Sequence, residues 1–348
     1  MITPLPGISR GQIASATRSL WRYAGALPFP IDEPVTMGEG LTPLVERRWD
    51  GARALFKLEW TNPSGSFKDR GASVMISALR QQGVTRLLED SSGNGGAAIA
   101  AYAAAAGMAS KILVPASTSP AKTVQMRACG AEIELIPGTR QATADAAILQ
   151  SDAIFYASHN WQAFFLQGTK TLAYELWEDL GFRAPDAIVI PTGAGSNVLG
   201  LDIGFSELLR RGEIAKLPRL FAAQPANCAP LCASLASGAE DCAPFAPQPT
   251  IAEGTAIAAP VRAREVLAAI RRSGGGAVAV SEEAIVDACF ALARSGLYAE
   301  PTAAVAAAGL SALLAEGKIS AGETIVVVLT GGGLKATPRW GELIAARS

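Results

Sequence analysis

Short apolar runs alternate with amphipathic stretches along most of the chain. The runs that predict β-strands are Ala54–Glu59, Arg86–Asp90, Lys111–Pro115, Glu132–Ile136, Ala153–Ala157, Ala187–Pro191, Leu220–Gln224 and Thr324–Leu329. The stretches that predict α-helices are Gly71–Gln82, Gly96–Gly107, Pro120–Cys129, Gln141–Gln150, Gln167–Leu180 and Asn197–Arg211. Because single helices separate successive strands, the pattern predicts an α/β fold with parallel-type twisted sheets flanked by helices. The unbroken apolar character of 187–190 and 325–328 indicates strands buried on both faces.

Three segments interrupt this alternation. Ala226–Ile251 shows little periodicity and is predicted to be a surface excursion, and Gly274–Gly276 should end a helix before the apolar segment Ala277–Val280. Gly93–Ser110 is uncharged and nearly long enough to cross a membrane. It consists mostly of alanine and glycine, which insertion scales do not favour, so we predict a loop that enters a soluble helix and no membrane segment.

Length and charge narrow the class of protein. The 348 residues predict about two domains. Hydrophobic residues make up 49% and charged residues 18%, which is typical of a folded globular protein. The net charge is −1, so the basic surplus expected of a nucleic-acid or anionic-membrane partner is missing.

Histidine and cysteine usage narrows the chemistry. With His159 as the only histidine, a His-rich metal site is excluded, and we expect no metal. No cysteine or acidic residue stands beside His159 in the sequence, so we predict a structural role for it. The five cysteines suit free thiols in a reducing compartment. Met1–Gln12 lacks a signal-peptide pattern, and a cytoplasmic location is expected.

A lysine follows the first predicted strand. The segment 62–71 reads Asn-Pro-Ser-Gly-Ser-Phe-Lys-Asp-Arg-Gly and opens a helix. A partly buried amine at such a junction can lose its proton and form an imine. The alternative is a surface Lys68 that pairs with Asp69.

Glycine-rich loops follow two further predicted strands. Ser91–Gly96 reads Ser-Ser-Gly-Asn-Gly-Gly, and exposed N–H groups in such a loop bind anions such as carboxylates. Thr192–Asn197 reads Thr-Gly-Ala-Gly-Ser-Asn before a helix and favours a phosphate. A dinucleotide would call for an acidic residue at the end of the next strand, where Gln224 stands. After the last apolar strand, Thr330 would direct a hydroxyl beyond the strand end.

Together the four loops resemble those of the fold-type II pyridoxal-phosphate enzymes, the tryptophan synthase β-subunit superfamily. Within it the chain is most similar to threonine synthases and their relatives. The resemblance runs from about Gly38 to Lys335 and is most specific at Asn62–Gly71, with support from Gly168–Glu175 and Glu300–Ala304. It implies two α/β domains with the cofactor in the cleft between them, one formed by 1–85 and 164–348 and a smaller, mobile one by 86–163. A homodimer is also expected.

The resemblance implies a role for each loop residue. Lys68 would form the Schiff base with pyridoxal 5′-phosphate and act as the base for the α-proton. Asn94 would hydrogen-bond the ring hydroxyl, and Thr330 would meet the pyridine nitrogen. The residues that would cradle the phosphate are Gly193, Ala194, Gly195, Ser196 and Asn197. Those that would face the substrate carboxylate are Ser91, Ser92 and Gly93.

The resemblance also predicts the reaction class. A neutral hydroxyl at Thr330 does not hold the pyridine nitrogen protonated, which favours β- or γ-elimination or replacement over transamination. Threonine synthases usually carry a threonine at the position of Gly95 and a phosphate-binding arginine at that of Phe165. An uncharged substrate such as serine or threonine is therefore expected to be used better than phosphohomoserine, although Lys170, Lys122 or Arg127 could restore the missing charge.

Other functions stay open from the sequence alone. The leading hypothesis is a threonine synthase-like lyase that acts on a small amino acid. The first alternative is a serine/threonine dehydratase or other ammonia-lyase. A non-catalytic cofactor-binding module is disfavoured because it has no use for an imine-forming lysine, and a dinucleotide oxidoreductase is disfavoured by Gln224.

Overall fold

Two β-sheets organise the computed structural model, which describes residues 5–347. The strands are β1 (Leu44–Trp49), β2 (Ala52–Leu58), β3 (Arg86–Glu89), β4 (Ala109–Pro115), β5 (Glu132–Ile136), β6 (Phe155–Tyr156), β7 (Ala187–Pro191), β8 (Arg219–Pro225), β9 (Gly276–Val280) and β10 (Ile325–Leu329). One sheet has the order β1-β2-β10-β7-β8-β9 and the other β5-β4-β3-β6. All pairings are parallel except β1 with β2. The α/β prediction with parallel-type sheets is confirmed.

Helices cover both sheets. They are α1 (Lys68–Gln81), α2 (Asn94–Ala105), α3 (Pro120–Ala128), α4 (Arg140–Gln150), α5 (Ala163–Thr169), α6 (Thr171–Asp179), α7 (Ser196–Arg210), α8 (Pro230–Ser237), α9 (Ala263–Arg272), α10 (Glu282–Arg294), α11 (Pro301–Ala315) and α12 (Thr337–Ala345). Within residues 5–347, none of them combines the length and hydropathy of a membrane-spanning segment.

The alternation of side chains along the central strands divides the core of the six-stranded sheet. Val189 and Val327 pack on one face with α10 and α11. Ile188 and Val326 pack on the other face with α6, α7 and α9. Because both faces are covered, β7 and β10 are buried along their whole length.

Three local predictions were wrong. The antiparallel edge strand β1 was missed, because its charged residues mask the apolar pattern. The predicted helix Gln167–Leu180 is divided into α5 and α6, where the Thr169 and Thr171 hydroxyls donate to carbonyls three residues earlier and so compete with the helical hydrogen bonds. The excursion predicted for 226–251 contains α8, which begins at Pro230 and ends before Gly238 at a φ of 74°.

The domain division stays a prediction. The four-stranded sheet is built from strands between Arg86 and Tyr156, and the six-stranded sheet from strands on either side of that stretch. The boundaries at 85/86 and 163/164 and the mobility of the smaller unit are not tested by this arrangement. Of the segment Met1–Gln12, for which no signal peptide was predicted, residues 1–4 lie outside the described part.

Candidate active site

The Lys68 loop is held by its own side chains and by the loop after β10. Asp69 accepts a hydrogen bond from Ser64 N at 2.6 Å and another from the Ser64 hydroxyl. Phe67 N donates to Thr330 O at 3.0 Å, and Ser66 forms a β-bridge with Gly331. Lys68 is therefore fixed as the first residue of α1, and Asp69 is bonded to Ser64 instead of to the lysine.

The Lys68 amine stands apart from the other lysines. Its Nζ lies 4.7 Å from the Phe67 ring centroid and 5.5 Å from that of Phe165. Within residues 5–347 it has no hydrogen bond or ion pair, whereas every other lysine has an oxygen partner. Burial lowers the pKa of Lys68 to about 8, and the Glu89 carboxylate opposes part of this shift. The site thus holds an amine that is partly neutral near physiological pH.

Asn94 is the first residue of α2 and connects the two sheets. Its Nδ2 donates to Glu300 Oε1 at 2.9 Å, and Glu300 N donates to Gly331 O at 3.0 Å. Burial raises the pKa of Glu300 to about 7. Sequence reasoning assigned Glu300 no role, although it begins one of the supporting motifs.

The loop between β7 and α7 has the backbone of an anion site. Gly195 has a φ of +87°, a conformation that favours glycine, and a side chain there would collide with Val266. Gly193 is equally confined, since an added Cβ would lie 3.0 Å from Gly254 O. Asn197, in the first turn of α7, is buried, and neither its Oδ1 nor its Nδ2 has a partner in residues 5–347. Unpaired N–H groups at the start of a helix attract anions.

Sheet order brings the predicted site residues together. β2, β10 and β7 are adjacent and parallel, so the loops that bear Lys68, Thr330 and Gly193–Asn197 leave the same edge of the sheet. The loop of Ser91–Gly93 leaves the corresponding end of β3. Ser91 and Ser92 are half-buried and Gly93 is exposed, and the neighbouring Asn94 contacts Glu300.

The unpartnered atoms fit pyridoxal 5′-phosphate. Buried polar groups are nearly always hydrogen-bonded, yet the buried Thr330 hydroxyl and the Asn197 amide have no partner in the described chain. An aldehyde suits the Lys68 amine, a ring nitrogen suits Thr330, and a phosphate suits the start of α7. The residues present therefore match this cofactor in number and kind.

His159 has an acidic partner that the sequence did not indicate. Its Nδ1 lies 3.1 Å from Glu89 Oε1, and its ring centroid lies 5.6 Å from that of Phe165. The expectation of a plain structural histidine rested on the absence of an acidic neighbour in the sequence. The fold supplies one from 70 residues away.

Lys170, considered above as a replacement for the missing charge, lies elsewhere. Its Nζ is buried against Ala26 O at 2.7 Å and Glu207 Oε1 at 3.1 Å. Lys122 pairs with Glu253, and the Arg127 Nε donates to Thr123 Oγ1 at 3.3 Å. Each of these cations is already engaged.

Comparison with known proteins agrees with this site. A family model described as "Pyridoxal-phosphate dependent enzyme" matches residues 35–331. The chain is 34% identical to the threonine synthase of Methanocaldococcus jannaschii, with 94% of this chain and 83% of that protein covered. It is 36% identical to that of Methanosarcina acetivorans, with 91% and 80% covered. The crystal structure of a threonine deaminase from T.th. superposes with a TM-score of 0.71 at 27% identity and covers 84% of this chain and 92% of its own. The chain belongs to the family of pyridoxal-phosphate-dependent enzymes.

Proposed function

We propose that the protein is a lyase that removes the α-proton of a small amino acid and completes a β- or γ-elimination or replacement. The observation that carries this proposal is the Lys68 amine, which is lowered in pKa and unpartnered in residues 5–347. Pyridoxal phosphate, when bound, withdraws electrons from the α-carbon of an attached amino acid. A neutral Lys68 Nζ beside that carbon is a suitable base for its proton.

The other residues are proposed to bind and orient. Asn94 would direct its amide at the cofactor ring hydroxyl, and Glu300 would hold that amide in place. The loop Gly193–Asn197 would bind the phosphate through N–H groups at the start of α7. Ser91–Gly93 would bind the substrate carboxylate in the same way.

Thr330 favours elimination and replacement over transamination. The residue is only 3% exposed, and its hydroxyl has no partner in residues 5–347, so it is available to the pyridine nitrogen. A hydroxyl does not stabilise a protonated nitrogen as a carboxylate does, and the ring remains a weaker electron sink. A short-lived carbanion that expels a leaving group is then favoured over one that waits to be reprotonated.

Two kinds of substrate are supported by different observations. The curated relatives named above are threonine synthases, which favours a threonine synthase-like reaction. The fully buried Phe165 and the engaged Lys170 favour an uncharged hydroxy amino acid, and thus a serine or threonine dehydratase. A screen for phosphate, ammonia and 2-oxo acid release separates the two, and release of none of them would contradict the proposed lyase.

A homodimer in the cytoplasm is proposed on the resemblance alone. Light scattering of the purified protein should give twice the chain mass of 35.9 kDa. A mass equal to that of one chain would contradict the dimer.

Cofactor capture by the unloaded protein should accelerate as the pH rises and level off above about pH 8. Only the neutral amine attacks an aldehyde, and the Lys68 pKa of about 8 lies below the ordinary 10.5. Stopped-flow absorbance across this range measures the rate. Glu89→Gln is the matched control, because loss of its carboxylate should move the midpoint to lower pH. A wild-type rate that keeps rising to about pH 10 would contradict the assignment.

Gly195→Asp should weaken cofactor binding by about 10- to 100-fold. A side chain there collides with Val266, and its carboxylate repels the phosphate. Gly212→Asp is the matched control, since Gly212 has a φ of +75° with nothing within 4 Å of an added Cβ. Equilibrium titration followed by absorbance gives the affinity, and thermal unfolding without cofactor reports on the fold. Equal affinities for the two variants would place the phosphate elsewhere.

A further inference from the structure

Glu89 and His159 form a buried pair beside the Asn94 loop. His159 Nδ1 lies 3.1 Å and 3.2 Å from the two Glu89 oxygens, and His159 N donates to Glu89 Oε2 at 3.1 Å. Glu89 is fully buried, and the imidazole is 8% exposed. Burial acts to raise the pKa of Glu89, but the interactions with His159 and the backbone hydrogen bonds outweigh it and lower that pKa. Glu89 is thus a carboxylate, which only accepts hydrogen bonds, so Nδ1 carries the proton.

The other ring nitrogen of His159 is open. Within residues 5–347 its Nε2 makes no hydrogen bond, and unlike the buried atoms without partners it keeps contact with solvent space. With Nδ1 committed to Glu89, Nε2 is the position at which the ring accepts and donates a proton. The pair therefore has the two parts of an acid–base catalyst, a ring of fixed tautomer and a carboxylate that orients it.

The open edge of the ring lies among the proposed site residues. A Cβ added to Gly95 would lie 2.7 Å from His159 Cε1 and 2.9 Å from Ser91 Oγ. Only a residue without a side chain leaves room for the ring here. The Phe165 ring lies between His159 and Lys68, at 5.6 Å from one ring centroid and 5.5 Å from the other residue's Nζ. The histidine thus borders the space beside the Lys68 amine, on the side of the Ser91 loop.

We propose that His159 donates the proton that expels the side-chain hydroxyl of a hydroxy amino acid, and that Glu89 is its positioning residue. The inference rests on the proposed lyase function. In the step, the α C–H bond breaks and its proton passes to Lys68 Nζ. The electron pair forms the Cα–Cβ double bond while the Cβ–O bond breaks. The oxygen takes the proton from His159 Nε2 and leaves as water, and the ring becomes neutral.

A change of leaving group tests the donor role. Hydroxide must be protonated to leave, whereas chloride leaves without a proton. His159→Gln should lower kcat for serine by about 10²- to 10⁴-fold. With β-chloroalanine, kcat should stay within about tenfold of wild type, as should exchange of the serine α-hydrogen in D₂O. Glu89→Gln should show the same selectivity with a smaller loss. Equal losses with both substrates would overturn the proposal.

Because the chain has a single histidine, its ring can also be observed without turnover. In untagged protein labelled with ¹⁵N-histidine, Nδ1 should be the protonated nitrogen of the neutral ring, and Glu89→Gln should mix the tautomers. α-Methylserine has a hydroxyl but no α-hydrogen, so it should shift the Nε2 resonance of the holoenzyme. 2-Aminoisobutyrate, which lacks the hydroxyl, should leave that resonance in place. Identical responses to the two compounds would overturn the proposal.

The wild-type enzyme separates failure of this inference from failure of the proposed function. Elimination from β-chloroalanine without elimination from serine or threonine would overturn the role of His159 and leave the lyase standing. Elimination from none of the three would overturn both. Elimination from serine that His159→Gln does not reduce would overturn only the proton donor.

Discussion

Lys68→Ala is expected to lose nearly all turnover, a fall of about 10³-fold or more, because it removes both the cofactor's covalent partner and the base for the α-proton. Lys57 and Lys170 cannot substitute for it. Lys57 is buried against Glu175 at 2.7 Å, and Lys170 is buried against Glu207. The variant should still fold, since the Lys68 amine has no hydrogen bond or ion pair to lose in residues 5–347.

Borohydride reduction followed by peptide mass mapping locates the covalent bond independently of turnover. The label should appear on Lys68 in the wild type and disappear in Lys68→Ala. Lys216→Ala, at a side chain that is 73% exposed, is the control and should keep both label and activity. A label on Lys57 or Lys170 would contradict the assignment.

Phosphohomoserine should be used poorly beside serine or threonine. A phosphate dianion must be desolvated to enter the pocket and then needs charge-assisted partners. Phe165 is fully buried and apolar, Gly95 adds no hydroxyl, and Lys170 is engaged with Glu207. Losing one or two charged hydrogen bonds, at about 1.5–3 kcal/mol each, should lower affinity by roughly one to four orders of magnitude.

Steady-state kinetics with the three substrates tests this preference. Phe165→Arg is a useful companion variant, because it should shift kcat/KM toward phosphohomoserine if the ring occupies the phosphate end of the pocket. The ring also contacts Gly71, so thermal unfolding must accompany the measurement. A wild-type kcat/KM for phosphohomoserine well above those for serine and threonine would show that the interpretation of Phe165 and Gly95 is wrong.

The sequence predicted features whose causes are local. β7 and β10 are apolar along their whole length because both faces are covered, and no other arrangement suits such runs. The glycine at 195 could be identified as a turn residue because its φ is positive and its neighbours crowd it. These signals lie within a few residues of the feature that they predict.

What the sequence missed depends on distant partners. β1 has alternating charged residues and is a strand only because it pairs with β2. The division between α5 and α6 follows from two threonine hydroxyls together with the burial of Lys170. Glu89 and His159 meet because β3 and the segment after β6 lie side by side. In each case the deciding contact is a tertiary one, which composition and periodicity do not encode.

The position of β10 has a consequence for how the protein is made. This strand comes last in the chain, yet it lies in the middle of the six-stranded sheet, between β2 and β7. During synthesis the emerging chain therefore holds an incomplete sheet, with two strand edges facing a gap, until residues near 325–329 leave the ribosome. Exposed strand edges promote association with other chains, and such long-range pairing is slow. Thr330 follows β10 directly and its carbonyl accepts the hydrogen bond from Phe67 N, so the site around Lys68 is completed only when the nascent chain is almost finished.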